Sequence, residues 1–137
     1  MHLESVSLSV LGVVLGMAAH FVTGAVWYTF LFSKQWMAAL GKSMGDPAGI
    51  PLPICLGINA AGSLVTTAIV ALLYIWGGGD GPLDGLVCGL IVGAGVVAIE
   101  GLNRPTYEGS PWSLYLINAG YAVIGYGLAG LVYGFIA

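Results

Sequence analysis

The chain has 137 residues, of which 58% are hydrophobic and 7% charged, with a formal net charge of −3. A water-soluble domain ordinarily carries about a quarter charged residues. Three basic and six acidic side chains cannot clothe a surface of this size, so lipid must be the solvent for most of the polypeptide. The same shortage of Lys and Arg excludes nucleic-acid binding, which needs clustered cations to displace counterions. It also excludes a polybasic lipid-binding segment.

A membrane-spanning helix needs about 20 predominantly apolar residues, and four stretches qualify or nearly qualify. The first covers residues 6–32 and is longer than a bilayer requires, which implies tilt or a protruding end. It begins with His2 and Glu4 in place of a basic leader, so it reads as a retained span and not a cleaved signal peptide. From Ser33 to Met44, Trp36, Leu40 and Met44 recur every four residues, the pattern of a short helix lying in the interface. Gly45, Asp46 and Pro47 are expected to end it. The second span, 52–76, opens with Pro51 and Pro53, which suit a first helical turn.

Gly77 to Pro82 is a flexible turn. The third span, 84–102, is the shortest. Pro82 extends its start, and Asp80 or Asp84 lies near a helix N-terminus, where a carboxylate is favoured. Pro105 is expected to stop the helix before it. The fourth span, 112–136, follows Ser110 and Pro111, a cap and a first-turn residue. These runs are continuously apolar and show no period of two. A barrel is therefore excluded, and helices are the remaining way to satisfy backbone amides in hydrocarbon. The reading is an all-α membrane protein, a four-transmembrane-helix bundle with a short interfacial helix after the first span. It forms a single membrane domain over residues 1–137.

Lys34 and Lys42 fall in the first connection and Arg104 in the third. This predicts that both connections face the cytoplasm and both termini the other side. Trp27, Tyr28, Phe30, Phe32 and Trp36 cluster at one interface with Tyr107, Trp112 and Tyr115. Tyr74, Trp76, Tyr133 and Phe135 mark the other. Cys55 and Cys88 fall near opposite faces, out of reach of a disulfide, and read as small packing residues. Of the 23 glycines, Gly85, Gly89 and Gly93 form overlapping GxxxG steps, with Gly101 further along the row, and Gly130 and Gly134 form another. Such flat faces permit close helix crossings. There are more of them than a four-helix monomer obviously needs, so a homo-oligomer or another membrane subunit is the expected partner besides the lipid bilayer.

Polar residues inside the spans are the candidates for function. His20 falls mid-span, on one face with Gly12, Gly16 and Gly24, so it is expected to point into the bundle. Thr66 or Thr67 would accept its N–H. It is either a proton-relay or solute-binding histidine, or a neutral one making an interhelical hydrogen bond. The lack of a carboxylate chain favours the second. Asn59 and Asn118 lie at matching depth and are expected to bond as interhelical glue. Glu100 and Arg104, four residues apart, form either an ion pair that terminates the third helix or, with Glu108, a polar mouth. No zinc-protease, nucleophile-elbow, Walker or dinucleotide motif is present, and no nucleophile adjoins an evident base. The expectation is a protein that is not an enzyme and has no catalytic, cofactor-binding or metal residues.

Two segments carry a resemblance. Gly24-Ala25-Val26-Trp27-Tyr28 followed by Phe32-Ser33-Lys34-Gln35-Trp36-Met37 resembles the G-x-x-W-Y and F-x-K-x-W-M pattern of the domain of unknown function 1761 family. Ile117-Asn118-Ala119-Gly120-Tyr121 is similar to the I-N-x-G-Y core of that family's fourth span. The resemblance implies a small prokaryotic integral membrane protein of the cytoplasmic membrane, with four helices and no established activity. By position it singles out Trp27, Tyr28, Lys34, Trp36, Asn118 and Tyr121. It also implies a histidine after the tyrosine of the fourth span. This chain has Ala122 there, with His20 as the candidate to stand in for it. Two functions remain: a non-catalytic oligomer or accessory subunit packing through glycine-rich faces, or a small-solute or ion transporter or channel. In the second, His20, Asn59, Asn118 and Glu100 would line the path.

Overall fold

The computed structural model describes residues 7–41 and 51–137. The elements in order are α1 (Val10–Val26), a π-helical turn (Trp27–Leu31), α2 (Ser33–Leu40), α3 (Leu52–Trp76), α4 (Pro82–Val92), a second π-helical turn (Gly93–Val97), α5 (Ala98–Gly101), α6 (Asn103–Tyr107) and α7 (Trp112–Ile136). They form four antiparallel spans, Val10–Leu31, Pro53–Trp76, Pro82–Tyr107 and Trp112–Ile136, each long and apolar enough to cross a membrane. The protein is an all-α membrane bundle. Large apolar side chains such as Val10, Leu83, Ile91 and Leu116 lie on its outside, where hydrocarbon is the solvent.

Three boundaries differ from the sequence expectation. The first span begins at Val10, because the Ser9 side chain accepts from Gly12 N (3.1 Å) and caps the helix there. The interfacial helix ends at Leu40, because Gly41 takes up φ +72° in the left-handed region and closes it. Lys42, Met44 and the Gly45-Asp46-Pro47 stop lie outside the described residues. The third span is not the shortest and does not stop before Pro105. The helix breaks at Leu102 and restarts as α6. Pro105 then falls in a first turn, where a missing N–H leaves no bond unmade.

Helix α7 is the hub, with α1, α3 and α4 all packed on it and α4 the most intimately. The reason is glycine. A methyl group placed on Gly85 would fall 2.0 Å from the Gly130 carbonyl oxygen, and one on Gly130 would fall 2.0 Å from that of Gly85. One on Gly89 would meet the Tyr126 carbonyl, and one on Gly134 the Gly81 carbonyl. Both GxxxG rows are thus spent on a backbone-to-backbone crossing inside the chain.

The two ends of the bundle are unlike. At the end holding the start of α1 and the α3–α4 turn, Val13, Ala71, Tyr74 and Tyr133 form a buried core. The Tyr74 and Tyr133 rings meet edge to face at 5.5 Å. Their hydroxyls accept from Gly81 N (2.9 Å) and Ser9 N (3.2 Å). Both tyrosines are therefore seals of this end and not lipid-facing anchors. At the other end, marked by Arg104, α3 stands away from its neighbours. Its buried residues, Ser63, Thr67, Val70, Ala71 and Tyr74, begin only near its midpoint. Among the described side chains from Pro53 to Gly62, none is buried.

Candidate functional site

The glycine face of α1 lets it ride close on α3 and α7. A side chain at Gly16 would strike Thr67, and one at Gly24 would strike the Tyr121 ring. His20, on this face, is only 6% exposed. Its Nδ1 lies 2.7 Å from the Ser63 hydroxyl, a bond whose donor depends on the tautomer. The Tyr121 hydroxyl stands 3.2 Å from Nδ1 and 3.4 Å from Nε2. The Tyr126 ring meets the imidazole edge to face at 5.3 Å, and Gly125 leaves room for the imidazole.

Thr66 and Thr67 are not the partners of His20. Thr66 donates to the Tyr126 hydroxyl (3.4 Å) and Thr67 to the Ser63 carbonyl (2.9 Å). Ser63, one turn earlier, takes the place expected for them. A serine in an apolar run carries little signal in the sequence. The usable signal was register: His20 and Ser63 lie equally many residues from Leu31 and Leu52, and Ser63 shares a helix face with Thr67.

The two motif segments meet each other. The Trp27 indole N–H donates to the Ile117 carbonyl (2.8 Å), and its ring leaves no room for a side chain at Gly120. The Tyr28 hydroxyl donates to Asn118 Oδ1 (2.6 Å). Tyr28 also stacks edge-wise between Trp36 (5.2 Å) and Tyr121 (5.4 Å). The π-helical turn starting at Trp27, closed by Phe32 N on the Trp27 carbonyl (2.9 Å), allows successive aromatics to reach α7 at two different heights. Such turns commonly mark functional sites. Lys34 is exposed.

Beside this junction runs a groove of about 840 Å³, bounded by α1, α2, the first half of α3 and the start of α7. It lies within the range of about 300–1,000 Å³ typical of small-molecule sites. Gly24, Tyr28, Trp36, Met37, Asn118 and Tyr121, all from the two motifs, line it, as do Ser63, Asn59, Cys55 and Arg104. His20 lies one bond behind the wall, through Ser63 and Tyr121. A second cavity of about 610 Å³ lies between the stretch from the second π-helical turn through α6 and the first half of α7, and includes Glu100, Arg104, Glu108, Tyr115 and Ala122. Arg104 and Asn118 border both. Among the described residues Arg104 is the only charged side chain lining the groove.

Asn59 and Asn118 share the groove but do not bond to each other: Asn59 Nδ2 donates to the Cys55 carbonyl (2.8 Å), since α3 stands off from α7 at that depth. Glu100 accepts from Asn103 Nδ2 (3.1 Å), and no ion pair joins it to Arg104 among the described residues. Ala122 lines the second cavity whereas His20 lies on the α3 side of α7, so His20 does not occupy the place of a histidine at 122. Neither cysteine is in a disulfide. No cluster of three metal-ligating side chains occurs among the described residues.

The pattern of the family described as protein of unknown function, DUF1761, matches residues 11–134. The chain belongs to the DUF1761 family. No curated protein and no solved structure matches it. In this DUF1761 chain Gly24, Tyr28, Trp36, Met37 and Tyr121, which carried part of the resemblance, line the groove and not the second cavity.

Proposed function

We propose that the chain is a small-solute transporter, non-catalytic, whose binding site is the groove over Ser63, Tyr121, Tyr28 and Asn118. The observation that carries this reading is the asymmetry of the bundle. A roomy groove with hydrogen-bonding groups at its floor opens at the Arg104 end, and a tyrosine-sealed core closes the other. A site near the middle of the bilayer, accessible from one end at a time, is what alternating access requires. Lys34 and Arg104 mark the open end as cytoplasmic, with both termini on the opposite side of a prokaryotic cytoplasmic membrane.

Cysteine accessibility tests it. Ser63→Cys and Leu64→Cys lie at the same depth, but Leu64 is on the outer face. A charged, membrane-impermeant thiosulfonate applied to sealed vesicles in a Cys55→Ser, Cys88→Ser background should modify Ser63→Cys from one side only and leave Leu64→Cys untouched. Equal inertness of both would mean that the groove is dry and would end the transport reading. Flux through the intact chain in liposomes, set against His20→Ala, then identifies the solute.

A second reading, an oligomer or accessory subunit, is supported by the first half of α3. Asn59 is exposed there, and Gly57 and Gly62 face open space, a surface suited to another helix. Gly57→Cys that cross-links between chains in native membranes would favour it.

A further inference from the structure

We propose that His20 is a proton-carrying site loaded from the groove through the hydroxyls of Ser63 and Tyr121, so that what the protein moves is moved with a proton. The coupling to a solute rests on the transport reading above; the loading of His20 rests on the geometry alone.

The partners of the imidazole are the first argument. A histidine kept neutral for packing alone is usually locked in one tautomer by a fixed acceptor, a backbone carbonyl or a carboxylate. His20 instead has two hydroxyls, each a donor and an acceptor that turns to suit its partner. With the ring neutral, one hydroxyl donates to the bare nitrogen. With the ring protonated, Nδ1–H donates to Ser63 Oγ. The Tyr121 hydroxyl, 3.2 Å from Nδ1 and 3.4 Å from Nε2, lies beside the ring and not along the Nε2–H direction. Either state of Nδ1 is thus met by the Ser63 hydroxyl without moving a heavy atom.

The second argument is access. Ser63 and Tyr121 are wall residues of the groove, so a proton reaches the ring in one hydroxyl exchange. On the far side the Val13, Ala71, Tyr74 and Tyr133 core blocks the continuation. The third argument is the surroundings. The titratable groups facing the ring are Tyr121 and Tyr126 of α7, with Tyr28 of the first π-helical turn behind Tyr121. From α3 come only the hydroxyls of Ser63, Thr66 and Thr67. Among the described residues no carboxylate, lysine or arginine faces it. A proton arriving here therefore creates a charge without a counter-ion inside the bilayer, a costly state that biases the bundle toward another arrangement.

Nitrogen-15 spectra of histidine-labelled protein in lipid nanodiscs test this, with the His20 signals assigned by their loss in His20→Gln. From about pH 4 to 9, a range that brackets histidine's ordinary titration, His20 should convert between neutral imidazole and imidazolium. Tyr121→Phe should move the midpoint of that titration. Ala25→Trp, which plugs the groove from α1, should slow proton exchange at least tenfold. A His20 that keeps one neutral tautomer throughout, while Ser63→Cys still reacts, overturns proton loading and leaves the groove reading intact. Proton exchange at His20 that is no slower in Ala25→Trp overturns the route through the groove.

Discussion

At the residue scale, the decisive interactions are single hydrogen bonds between helices that have no water to compete for them. Tyr28 to Asn118, at 2.6 Å, is the shortest of these between the first span and α7. Such bonds contribute about 0.6–1.7 kcal/mol in membrane bundles, because the alternative state also finds partners. Tyr28→Phe should therefore lower unfolding free energy by about 1 kcal/mol, read by denaturant titration in mild detergent. A double-mutant cycle with Ser63→Ala should show coupling of about 0.5 kcal/mol or more, since Tyr28 and Ser63 are linked through Tyr121 and His20. The sequence made His20 legible as an inward-facing residue because its glycine neighbours recur at helical spacing. Its partner was not legible. Ser63 and Tyr121 lie on different helices, and only the packing of α3 and α7 on α1 decides which hydroxyls arrive at the imidazole.

At the element scale, the glycine rows changed meaning. In the sequence Gly85, Gly89, Gly93, Gly130 and Gly134 are flat faces in search of a partner, and nothing in a row of glycines says whether that partner is the same chain. The fold answers by closing α4 on α7 until the Gly85 and Gly130 backbones touch. A Cβ here meets backbone, which cannot turn aside. Gly85→Ala or Gly130→Ala should cost at least the 1–3 kcal/mol typical of overpacking. Gly57→Ala and Gly62→Ala, where a Cβ meets nothing within 4 Å, should stay within about 0.5 kcal/mol of the parent. Thermal unfolding of the four variants, in one detergent, measures the contrast. Equal effects would mean that α4 and α7 do not cross this closely. The existence of the four spans was readable from apolar run length alone. The extent of the third was not, because a proline that ends one helix and a proline that starts the next look the same until the break at Leu102 is seen.

At the scale of the whole molecule, the one feature that no local pattern announces is the divergence of α3 from the bundle toward the Arg104 end. Both halves of α3 are predominantly apolar, yet its buried residues begin only at Ser63. The sealed end fixes the angle: Tyr74 is held by Tyr133 and by Gly81 N, so α3 is anchored at its C-terminus and free to lean at its start. If that seal is what makes the groove one-sided, removing it should open the other side. Tyr133 is 1% exposed, and its truncation to alanine should cost about 3–5 kcal/mol, enough to threaten folding. Tyr133→Leu keeps most of the volume while deleting the ring that meets Tyr74 and the hydroxyl that meets Ser9 N. In that background Ser63→Cys should become reactive toward the charged thiosulfonate from both faces of the vesicle, and His20 should exchange protons with both compartments. Tyr133→Phe removes only the hydroxyl and should leave labelling one-sided. If Tyr133→Leu remains folded and Ser63→Cys is still reached from a single face, the barrier lies elsewhere in the bundle, and the Tyr74–Tyr133 pair stabilises the fold without gating it.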